Sequence, residues 1–553
     1  MIGITGHRDL PKTDEPRLRE CLGEILERIQ TKQASTPLLV LSGMAAGADI
    51  LAAEESFERG IPVLACLPMP VEEYEKDFTP AELTRFRKAL PRCWDSIVVG
   101  SSEIREKSYG GAGNYIAYYS DLLVAFWDGE PGRGPGGTAD IVALRKSGLP
   151  NVGRDALISY VPDIGPVYQI VTPREGRPRP ANCFDVVETY PQYFSSDKFG
   201  KEDFAKAIEH LDRFNRDLSK EPVPVGSDEL ASLRDRTDNA ANRLQKRSLA
   251  SLRRLYFVAG LAGAAQIIVP SSGLWVLPAG SGLEIKLGLL VVAFAVFALA
   301  KRNDYENRYQ DYRAVAEGLR VQHAWCCAGL RDRLVEASYL QMQQSELQWI
   351  RLALRTAYLI SGGRARCAGD SIDHPDCQDW ITTQRHYYGN VAGPREAKYN
   401  RRAHRAIIAF ASVGAALSAI AGILFALAQS KGISIPWHSI HWSIYGSSSQ
   451  PPWYFPWPQK TANEDLPYWA AMPAALGGMI ALLIQFYSQQ RGFTENARRY
   501  QHMYVVFAVA KERLEKKAGD PVAVLAELGH EALAEHADWL ILHRERPLSF
   551  VHT

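Results

Sequence analysis

An α/β domain with a doubly covered parallel sheet, followed by an α-helical membrane region, is the fold class this sequence predicts. Short, nearly all-apolar runs alternate with helical patterns over residues 1–185, the pattern of parallel strands buried on both faces. Beyond Leu255 come four stretches without a charged residue. Lys and Arg gather at one end of each stretch, as they do on the cytoplasmic side of membrane helices.

In the first region, Ile2–Thr5 reads as a strand ending in Gly6 and Arg17–Gln30 as an amphipathic helix. Leu38–Leu41 is a second strand, ending in Ser42-Gly43, and Ala48–Arg59 a helix. Pro62–Leu67 and Leu122–Trp127 are further strands, and Val167–Val171 is placed to close the sheet. Residues 186–250 carry charged helical patterns, Lys201–Leu218 and Asp228–Lys246, and read as connecting helices.

The uncharged stretches are Leu255–Gly282, Leu287–Ala300, Ala406–Gln429 and Leu466–Tyr487. About 20 apolar residues cross a bilayer core, so four transmembrane helices in two hairpins are expected. Lys246, Arg247, Arg253 and Arg254 precede the first hairpin, and Lys301, Arg302 and Arg308 follow it; Arg395, Lys398, Arg401, Arg402 and Arg405 precede the second, and Arg491, Arg498 and Arg499 follow it. Both termini and the middle segment are therefore expected in the cytoplasm. Trp437, Trp442, Trp453 and Trp457, in the loop of the second hairpin, suit the outer interface. The expected domains are residues 1–185; connecting helices 186–250; 251–358, a hairpin plus a long cytoplasmic helix over Asn303–Ala357; a connector 359–400; and 401–553, the second hairpin with C-terminal helices. Arg308-Tyr309-Gln310 recurs as Arg499-Tyr500-Gln501 after the second hairpin, a faint internal repeat.

Composition narrows the function. The 553 residues hold 63 Lys+Arg against 62 Asp+Glu, a net charge of +1. That balance lacks the basic excess that coating a nucleic acid requires, so no nucleic-acid partner is expected. Eight cysteines without regular spacing suit a reducing compartment. No basic segment followed by an apolar run stands at the N-terminus, so no cleaved signal peptide is expected. Cys367, His374, Cys377 and His386 match no standard zinc spacing, and neither metal nor cofactor is expected.

Three glycine-bearing turns follow apolar strands. Gly3-Ile4-Thr5-Gly6-His7-Arg8 leaves backbone N–H groups at the carboxyl edge of the sheet, with Arg8 available to a phosphate. Ser42-Gly43-Met44-Ala45-Ala46-Gly47-Ala48-Asp49 joins a strand to a helix whose dipole points at the turn; Asp49 caps that helix or holds a ribose hydroxyl. Trp127-Asp128-Gly129 and Gly134-Pro135-Gly136-Gly137-Thr138-Ala139-Asp140 form the third. None is a Walker A or GxGxxG pattern. All three lie where open α/β sheets bind ligands, and the candidate site is Gly6, His7, Arg8, Ser42, Gly43, Ala46, Gly47, Asp49, Trp127, Asp128, Gly136, Gly137, Thr138 and Asp140.

Together these turns resemble the SLOG superfamily, which includes the DNA-processing A proteins and the LOG phosphoribohydrolases. Ser42–Asp49 is similar to the Ser-Gly-x-Ala-x-Gly-x-Asp pattern of the first group, and Pro135-Gly136-Gly137-Thr138 to the Pro-Gly-Gly loop of the second. The resemblance covers about a third of the chain and implies a Rossmann-like domain that binds a nucleotide-derived molecule. The LOG loop ends in a catalytic glutamate, whereas here it runs to Thr138-Ala139-Asp140, which favours a sensor over an enzyme. The membrane part resembles tandem SLATT-type two-helix effector modules. The two resemblances imply a bacterial inner-membrane effector of anti-phage defence or stress signalling. Its messenger would be an ADP-ribose-type, NAD-derived or cyclic nucleotide, and its response oligomerisation into a pore. The rivals are a membrane-tethered nucleotide or NAD hydrolase that uses Asp49, Asp128 and Asp140 as acid or base, and an anchor that recruits a partner.

Overall fold

The computed structural model describes residues 1–100, 104–132, 136–147, 165–191, 197–224, 229–268, 281–330, 334–340, 347–361, 375–431 and 468–544. Pro135, the Trp-rich loop, Cys367 and His374 lie outside the described residues.

A seven-stranded sheet forms from β1 (Ile2–Gly6), β2 (Val40–Ser42), β3 (Val63–Leu67), β4 (Asp95–Val98), β5 (Leu122–Trp127), β6 (Val167–Val171) and β7 (Val186–Thr189), in the order β4-β3-β2-β1-β5-β6-β7. The central strands are apolar throughout because both faces are covered: Ile2, Ile4, Val40, Leu64 and Val124 are all buried. Register is set by Ile2 opposite Val40 on one side and Leu122 on the other. Strand order runs outward from β1 to β4 and resumes from β5 on β1's other side. The switch point, where such sheets open a crevice, is therefore at the carboxyl ends of β1 and β5. The intervening helices are α1 (Glu15–Lys32), α2 (Ala48–Glu58), α3 (Val71–Tyr74), α4 (Pro80–Ala89), α5 (Arg105–Tyr119) and α6 (Thr138–Ser147).

Two features correct the expected sheet. Val167–Val171 does not close it, because β7 pairs antiparallel outside β6. At the other edge β4 is an additional parallel strand beside β3. Both edge strands are short and half exposed, so they lack the continuous apolar run that marks the interior strands.

The rest is helical: α7 (Asp197–Leu218), α8 (Glu229–Ile268), α9 (Ser281–Asn303), α10 (Tyr305–Cys327), α11 (Gln348–Ile360), α12 (Pro375–His386), α13 (Gly393–Ser430), α14 (Tyr468–Arg491), α15 (Phe493–Glu515) and α16 (Pro521–Arg544). The long helix expected over Asn303–Ala357 is broken. Asp304 takes a left-handed φ of 48° between α9 and α10, and Gly329, at φ 79°, stands just beyond the end of α10. Conversely, Asp228–Lys246 is no separate connector, since α8 continues through the start of the first apolar stretch.

The chain folds into two compact units that are discontinuous in sequence. The first comprises Met1–Asn242, Tyr309–Trp380 and Arg513–Ile541; the second Arg243–Arg308, Ile381–Glu512 and Leu542–Thr553. The sheet domain is thus not confined to residues 1–185 but shares its unit with α10, α11 and α16. A buried ionic cluster joins them. Tyr118, near the end of α5, donates to Glu336, whose carboxylate lies 3.6 Å from both Arg351 and Arg355. Arg355 Nη1 also donates to Tyr118 O (2.7 Å), and Trp325 Nε1 to Leu525 O (3.1 Å).

In the second unit, two described helical stretches, within Cys377–Ala428 and Ala470–Glu515, are long and apolar enough to cross a membrane. Only 6% and 17% of their most apolar windows is buried, unlike the core helices of a globular protein. This is two such helices among the described residues, against the four expected from sequence; of Leu255–Gly282 only the part to Ile268 is described in α8. α13 and α14 cross closely at small residues. A Cβ on Gly414 would come within 2.5 Å of Pro473 O, and one on Gly477 within 2.3 Å of Phe410 O.

Candidate functional site

A cavity of about 590 Å³ opens at the switch point, within the range of small-ligand sites. Gly6, His7 and Arg8 enter it from β1, Gly43, Ala45 and Asp49 from the turn into α2, Trp127 from β5, and Gly136, Gly137 and Thr138 from the start of α6. The three glycine-bearing turns, at Gly6–Arg8, Ser42–Asp49 and Gly136–Asp140, thus meet at one place because β2, β1 and β5 are adjacent. Ser42, Ala46, Gly47, Asp128 and Asp140 do not line the cavity; they hold the turns that do.

Their roles are visible in the hydrogen bonds. Ser42 Oγ accepts from Met44 N (3.1 Å) and donates to Asp49 O (3.2 Å), folding the turn on itself. Ala48 N donates to His7 O (3.1 Å), tying the start of α2 to the end of β1. Gly47 sits at that junction with φ +80°, and a Cβ there would lie 2.4 Å from Arg8 O and 2.6 Å from His7 O. A side chain is excluded both by the left-handed conformation and by the carbonyls. Asp140 Oδ2 accepts from Gly136 N (2.8 Å), bracing the third turn.

Asp49 was open to two roles. Its Oδ2 accepts from Ala45 N (3.3 Å), so the carboxyl braces its own turn from within the first helical turn. It is also buried, and burial pushes its pKa up to about 7 against the pull of the Ala45 N–H and of Arg8. A buried carboxyl whose pKa is pushed towards neutral pH therefore braces the turn.

Arg8 and Arg174 are the arginines that line the cavity, and Arg8 lies on its floor. The Arg8 guanidinium stacks 4.8 Å from the ring centroid of Tyr109. Tyr109 donates to Asp77, and Tyr74 Oη donates to Gly43 O (3.0 Å), so two tyrosines buttress the floor. On the opposite wall His7 Nε2 lies 3.1 Å from both the Asp128 N–H and Asp128 Oδ1. Burial lowers the pKa of His7, outweighing the attraction of Asp128, so the ring is neutral near pH 7 and accepts from the backbone. Burial acts to raise the pKa of Asp128, but the Glu130 N–H, His7 and Arg174 outweigh it and keep the group ionised. Arg174 holds Asp9 through Nε and Nη2 (2.9 and 2.8 Å) and reaches Asp128 at 3.4 Å.

Tyr74, Glu106, Tyr109 and Arg174 line the cavity without having been singled out in the sequence. Three of them belong to helices α3 and α5. The sequence of α5, with Gly110, Gly111 and Gly113 inside it, carries a weak helix signal. Arg174 could have been found, since it follows a strand at the same sheet edge. Among the described residues no cluster of three metal-ligating side chains occurs. Cys377 donates to Ala324 O (3.3 Å) and His386 pairs with Asn390 (3.0 Å), each in a different unit.

The arrangement offers backbone N–H groups at two helix starts, one stacked arginine and aromatic walls, which together suit a small, flat molecule bearing phosphate. No protein-family model and no curated protein matches the chain.

Proposed function

We propose that the chain is a membrane-bound sensor whose cavity binds a nucleotide-derived messenger and whose apolar helices convert binding into a membrane event. The observation that carries this reading is the convergence of Gly6–Arg8, the Gly43–Asp49 turn and Gly136–Thr138 on one cavity, with Arg8 stacked on Tyr109. The resemblance to SLOG proteins adds the ligand class: an ADP-ribose-type or NAD-derived molecule first, a cyclic nucleotide second. All four apolar stretches span the membrane in two hairpins, with both termini in the cytoplasm, a reading supported by the distribution of Lys and Arg. The setting is the bacterial inner membrane, in anti-phage defence or stress signalling. Ligand binding favours an assembled state, through closely packed Gly and Ala faces, that permeabilises the bilayer.

The test is direct. The full-length protein, purified in detergent, is heated with ADP-ribose, NAD and cyclic oligonucleotides; a true ligand raises the melting temperature by mass action. The same compounds are added to dye-filled liposomes carrying the protein. Ligand-dependent dye release, with no consumption of the ligand, supports the sensor. Release that is the same with and without a stabilising ligand would sink it.

A hydrolase is the second reading, favoured by one observation: Asp49 borders the cavity with a pKa near 7, the value a general acid needs at neutral pH. Turnover of a bound nucleotide that is lost in Asp49→Asn would put the enzyme first.

A further inference from the structure

The second unit contains another cavity, of about 400 Å³, lined by Arg253 of α8, Arg395, Glu396 and Tyr399 of α13, and Tyr487 and Arg491 of α14. Its position along the helices is specific. Arg253 lies two residues before the uncharged run that begins at Leu255. On α13 charge persists to Arg405 and ends at Ala406, while Arg491 terminates α14 after its own apolar run. Just past these points the side chains are apolar and exposed: Phe257 is 67%, Ile408 54% and Phe486 52% accessible. On α8 and α14 the cavity therefore lies at the passage from charged to apolar, and on α13 it extends from Ala403, beside that passage, back to Arg395 on the charged side, the flank of an apolar helix where lipid headgroups lie.

Its chemistry is equally specific. Three guanidinium groups face one carboxylate. Glu396 is almost fully buried; Oε1 accepts from Arg395 Nε (3.2 Å), and Oε2 has no hydrogen-bond partner. A buried acceptor without a donor is costly, and the residue that carries it lines the cavity. Arg491 stacks over Phe493 (5.7 Å), and Arg253 is exposed, so both retain N–H groups for an anion. Tyr399 and Tyr487 supply amphipathic walls of the kind found at the membrane interface.

We infer that this cavity is a binding site for the phosphoethanolamine headgroup of a membrane phospholipid, the phosphate held by Arg253 and Arg491 and the ammonium donating to Glu396 Oε2. A choline headgroup has the same phosphate but no N–H, so it leaves the carboxylate oxygen unpaired. The inference rests on the membrane reading above, and it adds a lipid that sits between the two hairpins at their cytoplasmic end.

The experiment uses the full-length protein extracted in mild detergent from membranes of defined composition, with retained lipid measured by native mass spectrometry. Phosphatidylethanolamine should be retained about tenfold over phosphatidylcholine, the ratio that one charge-assisted hydrogen bond gives. Successive N-methylation of the headgroup should erode that ratio in steps with the wild-type protein, so this arm needs no substitution. Glu396→Gln should bring the ratio towards one, and Arg253→Gln with Arg491→Gln should reduce retention of both lipids. Equal retention of the two lipids by a wild type that stays in the membrane through an alkaline wash would overturn the inference and leave the membrane reading intact. Displacement of the lipid by millimolar inorganic phosphate would make this a site for free phosphate and overturn the lipid assignment. Release of the protein by the alkaline wash would refute the membrane reading and this inference with it.

Discussion

The turns into α2 and α6 follow one plan and end in different chemistry. Each follows a buried strand, contains a glycine with φ near +80° and places an aspartate in the first turn of the helix. In each, that aspartate accepts a backbone N–H from its own turn: Ala45 to Asp49 (3.3 Å) and Gly136 to Asp140 (2.8 Å). Asp140 is exposed, while Asp49 is packed beneath the sheet edge and titrates near 7. The motif alone specifies a braced turn; what covers it decides whether the brace also responds to pH.

The largest effect tests that difference. The folded-state pKa of Asp49 lies above its unfolded value, so its contribution to stability is fully present at low pH and is lost as pH rises from about 4 to 7. A shift from 3.8 to about 7 corresponds to roughly 4 kcal/mol at most. Asp49→Asn should therefore raise stability at pH 8 relative to wild type, measured by denaturant unfolding, and flatten the stability profile between pH 5 and 8. For the same reason a phosphate-bearing ligand should bind more weakly as pH rises through 7 in wild type but not in the variant. A variant with the wild-type profile would show that Asp49 is not the titrating group.

Next comes Gly47→Ala. The left-handed conformation costs about 1–2 kcal/mol for an alanine, and the clash with two carbonyls adds about 1–3 kcal/mol. A drop of roughly 3 kcal/mol in unfolding free energy is expected, together with loss of ligand binding. Gly136→Ala also meets backbone, Gly110 Cα at 2.7 Å and Gly110 N at 2.9 Å, but at longer distances than Gly47 does, so it should cost somewhat less, about 2 kcal/mol. Here ligand affinity should fall further than thermal stability. If calorimetry ranks the two glycines in the opposite order, the first turn is not the more rigid one. Asp140→Asn is the smallest change. At an exposed position the amide oxygen can still accept from Gly136, so stability should stay within about 0.5 kcal/mol.

Arg8→Ala stands outside the pair and calibrates it. Removing the arginine stacked on Tyr109 should weaken a phosphate ligand by about tenfold or more, read by titration calorimetry, with the fold intact. Undiminished affinity would move the phosphate away from Arg8.

The interior strands and the three turns were legible because each leaves a local mark: a run of buried apolar residues, then glycine. Gly43 illustrates what was not. A glutamate there looks in sequence like a clean block of the phosphate, yet a Cβ would already stand 2.9 Å from Asp49 Oδ2, so the substitution strikes the buried carboxyl before any ligand. Tyr109 was hidden for another reason: helix α5 contains three glycines and is held by packing, with Ala112, Ile116 and Ala117 buried against the sheet. The edge strands β4 and β7 are too short and too exposed to carry a strand pattern. Least legible was the membership of the first unit, because bonds such as Trp325 to Leu525 join positions 200 residues apart and leave no periodicity behind.

Those distant bonds impose an order on biogenesis. Tyr118 meets Glu336 across 218 residues, and Trp325 waits for Leu525. The segments that complete the first unit emerge from the ribosome only after the apolar helices that separate them have been made. A nascent chain will hold an unfinished sheet domain, with Tyr118 lacking Glu336 until the first pair of apolar stretches has been made and Trp325 lacking Leu525 until the second pair has. Closure of the sheet-bearing unit thereby becomes a record that the intervening segments have been synthesised, and a chain truncated before α16 is left with an open hydrophobic seam along α10 for quality control to find.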